Sequence, residues 1–174
     1  MFHRSEQGEI CCKIWKGSVW KVRIRVLIVG GLKNGDIKAC CERYVKWLER
    51  YVKVEIRYLK AENRNLPVER ILCKEAERLI KYLRDDDFII SLDRKGRMMD
   101  SESFSELLSK IMNEGKNLVF IVGGVHGLGG EILKRSNFVL SLSKMTFTHE
   151  IATFLILEQI YRAFKIIRGE RYHY

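Results

Sequence analysis

Two hydrophobic rhythms alternate along this chain. Short runs dominated by Val, Ile, Leu and Phe occur at residues 24–29 (IRVLIV), 54–59 (VEIRYL), 88–92 (FIISL), 118–122 (LVFIV) and 138–142 (FVLSL), and each predicts a β-strand. Four are nearly continuous in apolar character, as strands are when helices cover both faces of a parallel sheet, whereas VEIRYL alternates and suits an edge. Between the runs, apolar positions recur every three or four residues. Asp36 is placed to cap a helix reaching about Arg50, with Ala39, Tyr44, Trp47 and Leu48 on one face. Pro67, the single proline, fits the first turn of a helix through Leu83. Ser103 and Glu106 have capping-box spacing, and Gly115 supplies a stop. A last helix over residues 149–167 spreads Ile151, Phe154, Leu155, Ile160, Tyr161, Phe164 and Ile167 across a wide apolar surface, expected to be buried in the fold or against a second subunit. The expected fold class is therefore α/β, a parallel-type sheet with flanking helices.

Composition bounds this picture without changing it. With 174 residues, 47% of them hydrophobic, the chain can bury one core, so a single domain is expected. Residues 1–21 mix charge, glycine and tryptophan with neither period and read as an extension outside that core, leaving 22–174 as the domain. Lys and Arg number 32 against 22 Asp and Glu, a formal net charge of +10. That excess suits a polyanion such as nucleic acid and equally an ordinary basic protein, because net charge does not report clustering. The cysteines fall as Cys11 with Cys12, Cys40 with Cys41, and Cys73, without metal-ligand spacing and in odd number, so neither a metal nor a disulfide framework is expected. No apolar signal core opens the sequence and no apolar run is long enough to span a bilayer, so no membrane association is expected and the location is expected to be cytoplasmic.

Candidate chemistry collects at strand ends. Directly after LVFIV comes Gly123-Gly124-Val125-His126-Gly127-Leu128-Gly129-Gly130, a stretch of tight turns with backbone open to a ligand, or simply the turn that leads the strand into the next helix. It lacks the G-K-[ST] ending of a phosphate-binding P-loop, and it lacks the first-strand position and following acid of a dinucleotide fingerprint. A second strand end, residues 91–97 (SLDRKGR), is polar and basic, and a third, residues 141–149 (SLSKMTFTH), offers backbone groups and small hydroxyls. Three such loops can line one crevice, and the third suits a neutral adenosine and an apolar methionine chain better than a triphosphate.

The stretch SLSKMTFTHEIATFLILEQIYRAFKIIRGERYHY closely resembles the C-terminal signature of the RlmH family, SPOUT-class methyltransferases of pseudouridine N3 in 23S ribosomal RNA. Its most specific part is EQIYRAFKIIRGERYH, and the resemblance continues upstream in FIVGGVHGLG, FIISLDRKGRMMDSESFSELL and IRVLIVGGLK, so it covers residues 22–174. It implies a SPOUT α/β trefoil knot at the C-terminus, S-adenosyl-L-methionine as cofactor, a homodimer, and helix 69 of large-subunit ribosomal RNA, met in the ribosome, as substrate. By position in the motif it implies that Leu92, Gly124 and the loop Ser143, Lys144, Met145, Thr146, Phe147 and Thr148 bind the cofactor.

Methyl transfer to a ring nitrogen needs in-line geometry and loss of an imide proton, so positioning and a base or anion stabiliser are what the protein must supply. Candidate catalytic groups are His149, Arg162, Tyr172 and His173. His149 equally suits a helix cap or a core hydrogen bond, and Arg162, like Arg168, equally suits phosphate binding or an ion pair. Thr148-His149-Glu150 stands where relatives read Pro-His-Gln, Thr153 where they carry arginine, Tyr174 where they end in Lys or Arg, and Gly31 in place of a lysine. These departures leave two alternatives beside the family reaction: the same fold with a shifted RNA substrate, and a catalytically silent ribosome- or RNA-binding homologue.

Overall fold

The computed structural model describes residues 20–170. Most of the expected extension, and Tyr172, His173 and Tyr174, lie outside the described residues. The chain order is β1 (Trp20–Val29), α1 (Gly35–Leu48), β2 (Val52–Leu59), α2 (Val68–Ile80), β3 (Asp87–Arg97), α3 (Ser101–Asn113), β4 (Asn117–Val122), α4 (Gly130–Arg135), β5 (Phe138–Leu140) and α5 (His149–Ile167). All strand pairs are parallel, in the order β2-β1-β4-β3-β5. The alternating strand β2 lies at an edge, as its pattern requires.

Helices cover both faces. On one side α1, α3 and α5 meet the sheet through Leu48, Phe104, Leu108, Ile156, Ile160 and Phe164, packed against Ile24, Val26, Ile28 and Phe120. On the other, Ala76 and Leu79 of α2 and Ile132 of α4 pack against Leu27, Val29, Val119 and Ile121. Residues 26–29 of β1 thus alternate between opposite cores, which is why that part of the strand reads as a continuous apolar run. Each fully buried side chain of this size contributes roughly 1.5–3 kcal/mol.

Several expected boundaries move. β1 begins at Trp20, inside the stretch read as extension, because the Trp20 N–H donates to the carbonyl of Tyr51 at 2.9 Å. The cap of α1 is Asn34 rather than Asp36: its side chain accepts from the N–H groups of Asp36 and Ile37, both at 3.0 Å, while Asp36 sits in the first turn, where its charge favours the helix dipole. Asp100, not Ser103, caps α3, accepting from the Ser103 N–H at 2.7 Å. Pro67 is the cap of α2 rather than a first-turn residue, and the helix runs from Val68 to Ile80, short of the expected Leu83.

The largest difference is in β3. Residues 93–97, polar and read as loop, continue the strand, and Arg97 pairs with Leu140 after a register shift. Backbone makes this pairing: Ser141 N–H donates to the Arg97 carbonyl at 3.0 Å. Gly96 permits it, since a Cβ there would lie 2.6 Å from the Val139 carbonyl oxygen and 2.8 Å from the Leu140 carbonyl carbon. β5 correspondingly ends at Leu140, short of Leu142.

Helix α5 buries Thr153, Ile156, Leu157, Ile160, Ala163 and Phe164, a stripe at helical spacing. Ile160 and Phe164 belong to it as expected, whereas Ile151, Phe154, Leu155, Tyr161 and Ile167 are only half-buried. Phe154 and Tyr161 meet Tyr44 of α1 edge to face, with ring centroids 5.8 and 5.7 Å away.

Candidate functional site

The sheet order brings three of the flagged segments together, because β4, β3 and β5 are neighbours and all strands point the same way. Leu92, at the end of the hydrophobic part of β3, is half-buried against the α5 core. After β4 the chain folds back at once: Gly124 and Gly127 form an isolated bridge, and the Gly127 N–H donates to the Gly124 carbonyl at 3.1 Å. A side chain at Gly123 would place Cβ 2.5 Å from the Gly127 carbonyl carbon, so this fold-back requires glycine there.

The loop after β5 is held from below and open above. The Ser141 hydroxyl lies 3.2 Å from the carbonyl of Arg94 and 2.9 Å from that of Ser143, tying the loop to the extended part of β3. The Met145 N–H donates to the Ser143 hydroxyl at 3.0 Å. Lys144, Met145, Thr146, Phe147 and Thr148 are exposed, with Met145 at 74%. The loop therefore shows solvent backbone groups, hydroxyls and two large apolar side chains, and no acid. Thr148 ends it by capping α5, its hydroxyl accepting from the Ile151 N–H at 3.4 Å.

The first turn of α5 is fastened to the β1–α1 connection. His149 Nε2 lies 3.1 Å from the Gly31 carbonyl oxygen; a carbonyl only accepts, so Nε2 carries the proton and Nδ1 is the basic nitrogen of the neutral ring. The Asn34 N–H donates to Glu150 Oε2 at 3.0 Å, and that bond is the main reason the Glu150 carboxyl is held below its ordinary range. Thr153 is fully buried and donates to the His149 carbonyl at 2.7 Å.

The remaining arginines stand apart. Arg162 lies thirteen residues beyond His149 on α5, about 20 Å along the axis, and pairs with Glu158 at 2.9 Å. Arg168 stacks on the Tyr51 ring at 4.3 Å and reaches Glu170 at 3.6 Å. Within one chain, neither is brought to the loop after β5.

A cleft of about 430 Å³ opens at the ends of β1, β2 and β4. Gly124 and His149 line it beside residues that sequence reasoning did not single out: Lys33, Tyr58, Lys60, Arg64 and Glu75. Glu75 had no local signal, since it is one acid among several on an amphipathic helix; only the tertiary fold shows that it is 6% exposed and turned toward the sheet. Its Oε1 accepts the Glu62 N–H at 2.9 Å. Among the described residues no group of three or more His, Cys, Asp or Glu is arranged to hold a metal, and no helix is long and apolar enough to cross a membrane.

Residues 22–173 match the family model described as predicted SPOUT methyltransferase. Two proteins named Ribosomal RNA large subunit methyltransferase H are 42% identical to this chain: that of Dictyoglomus thermophilum over 154 residues and that of Thermotoga neapolitana over 153, each match covering 88% of this chain and all of the relative. A crystal structure of a probable methyltransferase from Bordetella pertussis superimposes with a TM-score of 0.54 at 12% identity, covering 82% of this chain and 94% of that one, which speaks to the fold alone. The parallel α/β sheet, the loops at its carboxyl edge and a match running almost end to end lead to one conclusion: the chain belongs to the SPOUT methyltransferase family, within the group of Ribosomal RNA large subunit methyltransferase H proteins.

Proposed function

We propose that this protein methylates large-subunit ribosomal RNA with S-adenosylmethionine, at N3 of a pseudouridine in helix 69, as a cytoplasmic homodimer with a C-terminal trefoil knot. The observation that carries this reading is the near-complete match to two named ribosomal RNA large-subunit methyltransferases. The tight passage of residues 139–141 beside Gly96, bonded to both Arg94 and Arg97, supports the knotted arrangement.

The residues present fit the cofactor. Gly124 presents backbone to the cleft at the end of β4, and the loop from Ser143 to Thr148 offers amides and hydroxyls for an adenosine with Met145 and Phe147 as apolar cover. When bound, S-adenosylmethionine supplies an electrophilic methyl group. The chain's own task is to hold the accepting nitrogen in line and to take up its imide proton. His149 is suited to that: its Nε2–H is anchored on Gly31, which fixes the ring and leaves Nδ1 to accept. Arg162 lies too far along α5 to act in the same chain's site, so a role for it requires the second subunit.

Incubation with large ribosomal subunits and methyl-labelled cofactor should place label in 23S RNA; no label despite cofactor binding measured by calorimetry would refute the activity. A second reading, a shifted nucleotide, is favoured by Thr153, whose burial and bond to His149 leave nothing there to meet RNA. Mapping the labelled nucleotide separates the two.

A further inference from the structure

The cleft beside the cofactor loops has its own chemical character. β1 and β4 are adjacent, yet β1 connects through α1 on one face to β2 and β4 connects through α4 on the other face toward β5. Their chains diverge in opposite directions, which makes the gap between their carboxyl ends a topological switch point, the place where open α/β sheets take ligands. The cleft of about 430 Å³ lies there, lined by Val29 and Gly30 of one strand end and Gly124 and His126 of the other. That volume is in the range of small-molecule sites, about 300–1,000 Å³.

Its lining is graded from apolar floor to cationic rim. Val29, Leu59 and Ile71 are buried at the bottom, and Lys33, Lys60 and Arg64 are exposed at the mouth with Tyr58, which is 45% exposed. On the wall stands Glu75. Its Oε1 is occupied by the Glu62 N–H, while its Oε2 lies 3.5 Å from the point where a Cβ on Gly124 would sit. A Cβ on Gly124 would crowd Val29 first, at 3.1 Å, and would stand in ordinary contact with that oxygen. A buried carboxylate is costly unless donors are supplied to it. Anionic ligand groups suit the rim and an N–H suits the wall, so the matching ligand is a nucleotide: phosphate toward the lysines and arginine, base inward, ring stacked on Tyr58.

We propose that this cleft receives one unpaired nucleotide of the RNA, and that Glu75 accepts a hydrogen bond from a ring N–H of its base, selecting uracil-type bases and guanine over cytosine and adenine. This rests on the RNA-methylation reading for the polymer, and on the cleft alone for the base. Because Gly124 lines the cleft and is also proposed to bind cofactor, the nucleotide would lie against the methyl donor's site.

The test uses the full chain and fluorescent RNA hairpins identical except for the loop base, which is uridine, guanosine, cytidine or adenosine. Binding is read by anisotropy and cofactor affinity by calorimetry. Glu75→Gln keeps the shape of the side chain but turns an amide toward the cleft; it should weaken binding of the uridine and guanosine hairpins about tenfold or more, remove the preference over cytidine and adenosine, and leave cofactor affinity within about twofold. Lys60→Ala with Arg64→Ala, both on the surface, should weaken all four hairpins equally and flatten the salt dependence. Unchanged base preference in Glu75→Gln with native circular dichroism would overturn the proposal, as would a loss of cofactor affinity that matches the loss of RNA affinity. If wild-type protein transfers no label to ribosomes yet shows the Glu75-dependent preference, the methylation reading fails and the cleft assignment stands.

Discussion

Adding one methyl group at Gly96 should unseat the contact between the extended end of β3 and β5. In Gly96→Ala the new Cβ would lie 2.6 Å from the Val139 carbonyl oxygen and 2.8 Å from two backbone carbonyl carbons, those of Val139 and Leu140. All three neighbours are backbone, so no side chain can rotate away, and one strand must move by about half an ångström or more to restore ordinary contact. That movement strains the Ser141 N–H bond to Arg97 and the Ser141 hydroxyl contact with Arg94, each worth about 1 kcal/mol. With an overpacking cost of about 1–3 kcal/mol, the expected loss is roughly 2–4 kcal/mol. For a chain of this size that is a fall in melting temperature of roughly 5–15 °C. Denaturant titration followed by circular dichroism measures it, with Gly31→Ala as control, because a Cβ at Gly31 meets nothing within 4 Å and should change stability by less than about 0.5 kcal/mol. The loop from Ser143 to Thr148 hangs from the same segment, so the S-adenosylmethionine affinity proposed for it should fall too. A Gly96→Ala protein as stable as the control would refute the close-approach argument.

Three further outcomes are expected from buried and linked groups. Arg25→Ala strips the cation from Asp87, whose side chain is fully buried and otherwise takes the Arg84 N–H at 2.7 Å, and should cost about 3–5 kcal/mol by denaturation, while Arg25→Met with Asp87→Leu should recover most of it. Cys41 is completely buried, and burial, aided by nearby Cys40, Glu42 and Glu150, pushes its thiol up to about 11; peptide mapping after treatment with a thiol reagent at neutral pH should find exposed Cys73 modified and Cys41 untouched until the protein is unfolded. Glu150 is held low chiefly by the Asn34 N–H, so its tether is complete above the ordinary carboxylate pKa and is lost as pH falls through the lowered folded value; protection of the Asn34 amide from hydrogen exchange should drop in that acid range, and in Glu150→Gln the same drop should be absent.

Local pattern carried the fold class because burial on both faces leaves a mark on a strand's own residues. VLIV at the end of β1 and LVFIV in β4 are apolar throughout because successive side chains enter different cores, and VEIRYL alternates because it closes an edge. The same sequence carried the family, since a long run of unusual residues such as EQIYRAFKIIRGERYH is specific where a glycine loop is not. It also singled out the segments that follow the apolar runs of β3, β4 and β5 as candidate binding loops, and strand order makes those strands neighbours. What it could not carry were contacts between segments far apart in the chain. Residues 93–97 look like loop because their side chains are polar; they are strand because the backbone of residues 139–141 passes close enough to pair, and backbone hydrogen bonding leaves no trace in side-chain polarity except Gly96. Asn34 caps α1 in place of Asp36 because the conformation of the β1–α1 connection, fixed by contact with α5, decides which side chain faces the free amides. Glu75 illustrates the limit most plainly. On the helix it is an acid like its neighbours; only the sheet order, by setting β4 beside β1, turns it into the wall of a cleft.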